Sequence, residues 1–132
     1  SESRGLGDVY KRQGLDRLDL NKPVMITEGP IDSLFLSNAV ALAGADADIK
    51  INPLQCTMVF DNEPRNQEIV NRMIKAVDKK FNLVVWPKTL KYKDLNDMII
   101  AGKTSAEVQT IISNNTYSGL TALQHINNWK RI

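Results

Sequence analysis

Four short apolar runs, PVMIT (23–27), AVALAG (39–44), TMVFD (57–61) and NLVVW (82–86), alternate with helix-like segments along most of the chain. The runs are nearly continuous in apolar residues, the pattern of strands covered on both faces. Between the third and fourth lies PRNQEIVNRMIKAVDKKF (64–81), where Ile69, Met73 and Val77 recur every four residues with Val70 and Ile74 beside them. That spacing describes one face of a helix. Pro64 suits its first turn, where no N–H is needed. A shorter helix is predicted over IDSLFLSN (31–38). Strands alternating with helices predict an α/β fold, an open parallel sheet of about four strands flanked by helices, with right-handed crossovers.

The last third reads as helical. DLNDMIIAG (94–102) begins with a capping Asp94 and closes on Gly102. TSAE (104–107) matches a capping box, and a final amphipathic piece runs from 120 to 129. The organisation expected is therefore an α/β domain over 14–103 and a helical C-terminal extension over 104–132. The first thirteen residues, SESRGLGDVYKRQ, lack apolar periodicity and are read as a non-native or disordered leader.

Composition narrows the classes. A chain of 132 residues fits one domain, and 24% charged residues beside 42% apolar ones argue against disorder. With one cysteine and one histidine the chain alone builds neither a four-ligand zinc site nor a disulfide. No apolar run approaches the roughly 20 residues of a membrane span, and no signal peptide is visible, so no membrane partner and a cytoplasmic location are expected. A net charge of +2 is too small to announce nucleic-acid binding through bulk electrostatics.

The acids carry the functional signal. Glu28 follows the first run, Asp61 and Glu63 follow the third, and Asp94 and Asp97 follow the fourth. Parallel sheets bind ligands beyond the carboxyl ends of their strands, so acids from three segments are expected at one edge. Such hard oxygen ligands suit Mg²⁺ or Mn²⁺. Gly29 fits a tight turn that admits a ligand to the backbone, and a helix starting near Ile31 would offer N–H groups to an anion.

Plainer roles compete for several of these residues. Asp32 can cap the helix it begins, Asp61 and Glu63 can serve a turn, and Asp94 and Asp97 fit a helix cap and its third-position partner. Arg65, Lys91 and Lys93 are either solvated charges or contacts to phosphates and template. AGKT (101–104) is not a phosphate-binding loop, because Asp97 stands where that motif needs glycine. Cys56 reads as a small buried hydrophobe and His125 as an ordinary helix residue. Trp129, followed by Lys130 and Arg131, either packs on the core, the preferred reading, or docks a helicase or template.

EGPID (28–32), DNE (61–63) and KDLND (93–97), each after a predicted strand, together resemble the Toprim domain shared by primases, topoisomerases and some nucleases. Within that group, DNEPRN, VVWP, KDLNDMI and the ending NTYSGLTALQHINNWKRI are similar to the C-terminal part of the DNA primases of T-even-like phages. The resemblance covers residues 23 to about 102 and departs from the family pattern at Glu63, where an aspartate is usual. The extra methylene there moves the oxygens outward, so contact through a water stands beside direct coordination.

The resemblance implies Mg²⁺ (or Mn²⁺) dependence and synthesis of RNA primers from NTPs on a single-stranded DNA template beside a replicative helicase. It implies Glu28 and Asp61 as catalytic residues, Glu28, Asp61, Glu63 and Asp94 as metal ligands, and Asp32 and Asp97 as capping or supporting residues. Gly29, Arg65, Lys91 and Lys93 would meet phosphate or nucleic acid. A chain of this length would be a catalytic-core fragment, inactive alone. A Toprim nuclease cleaving phosphodiesters shares the same acids. A non-catalytic docking module is the third class, although a receiver-like domain wants an acidic pair where only Glu28 stands before Gly29.

Overall fold

The computed structural model of the chain describes residues 18–41 and 52–131. The leader at 1–13 and the end of the second apolar run lie outside the described residues. Five strands form one sheet: β1 (Val24–Thr27), β2 (Ala39–Ala41), β3 (Cys56–Val59), β4 (Asn82–Val84) and β5 (Thr116–Tyr117). Their spatial order is β2-β1-β3-β4-β5. The first four are parallel, with Ile26 flanked by Val40 and Met58. The direction of winding reverses between β1 and β3. A crevice therefore opens beyond their carboxyl ends, where Glu28 and Asp61 emerge.

The α/β fold matches the sequence reading, with local differences. The sheet gains a fifth strand, antiparallel to β4, from the NTY stretch, which the sequence pattern places in the helical extension. Val85 donates its N–H to Asn115 O at 3.0 Å, and Tyr117 packs against the core, so the short strand covers an otherwise open edge. The helix after β1 is a single turn, α1 (Pro30–Ser33), rather than eight residues. The chain must reach β2 within five further residues, and Asn38 fixes that entry. Asn38 sits at φ 51 and its Nδ2 donates to Pro23 O at 2.7 Å.

The long helix, α2 (Gln67–Asp78), starts later than Pro64. Asn66 caps it by accepting from the N–H groups of Glu68 and Ile69, which leaves Pro64 in the preceding turn. Its buried stripe is Ile69, Val70, Met73, Ala76 and Val77, and Ile74 faces outward at 40% exposure. Three further helices follow: α3 (Leu95–Ile100), α4 (Ser105–Asn114) and α5 (Gly119–Trp129). The predicted capping box is present, with Thr104 and Glu107 each accepting from the other's backbone N–H.

Side-chain alternation along the strands divides the interior into two layers. Ile26, Met58, Phe60, Leu83 and Val85 pack with Ile69, Met73 and Val77 of α2 and Ala122, Ile126 and Trp129 of α5. Val59, Val84 and Trp86 point to the other face and pack with Leu95, Met98, Val108 and Ile112 of α3 and α4. Burying each such large apolar side chain contributes about 1.5–3 kcal/mol. The C-terminal helices therefore help to build both cores. Among the described residues no helix is long and apolar enough to cross a membrane.

Candidate functional site

Three loops meet beyond the carboxyl ends of β1, β3 and β4. The first carries Glu28, directly after Thr27, whose hydroxyl donates to Gly29 O at 2.9 Å and tightens the turn. Gly29 has ordinary backbone angles, and an added Cβ would meet nothing within 4 Å. The space above it is open, and the chain's own packing does not demand glycine. The helical amides expected behind it are few, because α1 is one turn long and begins with proline, which has no N–H.

The second loop carries Asp61, Asn62 and Glu63. The third runs from Pro87 to Asp94 and is tied to the second. Asn62 donates its backbone N–H to Lys93 O at 2.5 Å and its Nδ2 to Leu90 O and Tyr92 O, both at 3.0 Å. Asp94 caps α3 by accepting from Asp97 N at 2.8 Å. Asp32 does not cap its own helix. Its Oδ1 accepts from Asn96 N at 3.1 Å, so it holds the start of α3 against α1.

Charge joins these acids into one cluster. Asp61 is pushed up to about 6, first by burial and then by the charges of Glu28, Asp32, Asp94 and Glu63. Burial also raises Asp32, with Asp94, Asp97 and Glu28 adding to it and the Asn96 amide opposing. Glu28 is raised by burial, opposed by Arg72 and raised again by Glu63 and Glu68. Glu28, Asp32 and Asp61 are thus each raised by other acids across the loops, Asp61 by four of them.

Arg72 is the partner that sequence reasoning missed. It reaches from α2 to Glu28 Oε2 at 2.9 Å and to Glu68 at 2.6 Å. The i,i+4 spacing of Glu68 and Arg72 is visible in sequence, but nothing marks the contact to Glu28, 44 residues away. Arg72 occupies one oxygen of Glu28. The other, Oε1, is buried with no hydrogen-bond partner among the described residues. A buried, unpartnered carboxylate oxygen beside a self-repelling acid cluster is the donor chemistry a divalent cation would satisfy.

The described residues contain no ready-made set of three or more metal-binding side chains. Bare carboxylates repel, and Glu28, Asp32 and Asp94 are each held by another partner, so the acids surround the crevice without closing on one point. Around them the charges are positive. Lys93, itself exposed, lies 3.9 Å from the half-buried Glu63, a long pair that adds little stability. Lys91 turns back to Lys88 O at 3.1 Å, and Arg65 is exposed. Elsewhere Cys56 is fully buried and His125 stacks on Tyr117 with ring centroids 3.6 Å apart. Gly102, at φ +106, ends α3 ahead of the Thr104 cap, so AGKT links two helices.

This chain is similar to a phage DNA primase. It is 36% identical over 129 residues to the DNA primase of Enterobacteria phage T4, a match covering 95% of the chain and 37% of that protein. The chain thus spans little more than a third of the primase's length. A match leaving out about one residue in twenty takes in the segments from Glu28 to Asp97, and so all the acids of the crevice. No protein-family model matches the chain.

Proposed function

We propose that this chain is a catalytic core of the primase type, in which the acids of the β1–β3 crevice hold Mg²⁺ or Mn²⁺ for nucleotidyl transfer from NTPs on a single-stranded DNA template. The observation that carries the proposal is the buried, unpartnered Oε1 of Glu28 at the strand-order switch, beside an Asp61 that burial and neighbouring acids push up to about 6. The similarity to phage T4 DNA primase supports the reaction class. Primer synthesis at a replication fork, with a replicative helicase nearby, follows from the same reading.

Asp61, Glu63 and the free Oε1 of Glu28 would hold the ion, with Asp94 contributing the oxygen left over from its cap. A bound divalent ion supplies a lowered pKa for the attacking ribose 3′-hydroxyl and neutralises charge on the leaving pyrophosphate. Glu28 has a second use. Where Asp61 and Glu63 hold the ion without it, the Glu28 carboxylate, made more basic by burial and oriented by Arg72, would instead accept the hydroxyl proton. Lys91, Lys93 and Arg65 are within the neighbouring loops and would steer phosphates toward the crevice. Asp32 and Asp97 support the start of α3.

The test is template-directed primer synthesis by the full-length natural protein carrying Glu28→Ala or Asp61→Ala. The expected loss is about 10²- to 10³-fold or greater. Normal primer yield from either variant would refute the assignment. Divalent-dependent cleavage of DNA without synthesis would move the site to a nuclease role. Partner binding that survives both substitutions, with no response to metal, would make it a docking module.

A further inference from the structure

The buried tryptophans both donate to the loop that carries Asp61. Trp86 Nε1 donates to Phe60 O at 2.8 Å, on one side of Asp61. Trp129 Nε1 donates to Asn62 Oδ1 at 2.9 Å, on the other side and from 67 residues away. Trp129 is the last residue of α5 and only 2% exposed. Asn62 uses its whole side chain: Oδ1 accepts from the indole, and Nδ2 donates to two carbonyls of the loop that leads into Asp94. A single amide thereby joins the Asp61–Glu63 loop, the Asp94 loop and the C-terminal helix.

We infer that Asn62 and Trp129 are positioning residues that set the separation of Asp61 and Glu63 from Asp94, making α5 a structural part of the acid site. The inference deepens the metal-binding reading and rests on it. The residue types are specific. Aspartate at 62 would lose both donated hydrogen bonds and add one more charge to a cluster already in repulsion. Phenylalanine at 129 would keep most of the packing but leave Asn62 Oδ1 unpaired, freeing the amide to turn. Sequence alone gave no sign of the pairing, since Asn62 reads as the spacer of an acid-x-acid motif.

The test has a metal-free arm and a metal arm, both on the 132-residue chain. Hydrogen–deuterium exchange without metal compares wild type with Trp129→Phe and Asn62→Ala. Exchange in 61–63 and 90–94 should rise about fivefold in Trp129→Phe, which loses one hydrogen bond, and by more in Asn62→Ala, which loses three, with α4 unchanged in both. Mn²⁺ titration, read by electron paramagnetic resonance of the free ion, should show about tenfold weaker uptake in each variant. The double variant should be no weaker than the worse single one, because both break one unit. Ile126→Val, buried on the same helix, should lower the melting temperature without moving either readout. Unchanged loop exchange in Trp129→Phe overturns the inference, as does an Ile126→Val effect equal to that of Trp129→Phe. Wild type that takes up no Mn²⁺ sinks the metal reading instead, and the exchange arm then decides the brace by itself.

Discussion

Replacing Asp61 with asparagine should stabilise the metal-free protein while abolishing its response to metal. Asp61 carries a pKa of about 6 against an ordinary 3.8, raised by burial and by four neighbouring acids. At 1.36 kcal/mol per pH unit that difference corresponds to about 3 kcal/mol of cost to the folded state at neutral pH. Asp61 is only partly buried, so solvent screening reduces it to about 1–2 kcal/mol. The folded protein binds the Asp61 proton more tightly than the unfolded chain does, so this group's cost is absent below pH 3.8, grows as pH rises and is complete above about 6. Asp61→Asn removes the cost. Its melting temperature at pH 7.5 without metal should exceed wild type by about 3–8 °C, and the gap should close at pH 3.5. Divalent cation reverses the order. At a hundredfold excess over Kd, Mn²⁺ should stabilise wild type by about 2.7 kcal/mol and the variant hardly at all. Thermal shift at two pH values, with and without Mn²⁺, reads all four states. A variant less stable than wild type at pH 7.5 without metal, or one with an undiminished Mn²⁺ response, would refute the reasoning.

Other substitutions separate the site from its scaffold. Arg72→Ala frees Glu28 Oε2 and removes the charge that orients the carboxylate, so Mn²⁺ uptake should weaken about tenfold, as a calorimetric titration would show. Thr104→Ala breaks the capping box of α4 and should cost about 1 kcal/mol in urea unfolding, with Mn²⁺ affinity unchanged. Met98→Ala opens a cavity at a fully buried position between the sheet and α3 and should cost about 2–5 kcal/mol, again by urea unfolding.

The features legible in sequence were those set by local pattern. Apolar runs gave the parallel strands, and the spacing of Ile69, Met73 and Val77 gave the buried face of α2. The chemistry of Thr104 and Asp94 gave two helix starts. The acids at strand ends could be assigned to one edge because parallel topology sends every carboxyl end the same way. Features that depended on distant partners were not legible. Residues 116–117 are too few to carry a strand pattern and pair only because β4 needs a neighbour. The start of α2 shifted because Asn66 outcompeted Pro64 as its boundary, a choice between two acceptable signals. Arg72 and Trp129 reach the acid loops across 44 and 67 residues, and no periodicity encodes such a contact. Asp32 looked like a cap for its own helix and serves the start of another, because α1 ends after one turn and leaves its carboxylate facing Asn96.

The measurement closest to the central claim is anomalous diffraction from crystals of the chain soaked in Mn²⁺. The account expects a manganese peak in the crevice between β1 and β3, within coordination reach of Asp61 and of Glu28 Oε1, with Arg72 still on Oε2. Manganese at saturating concentration bound only elsewhere, with Glu28 and Asp61 turned to separate surfaces, would contradict it.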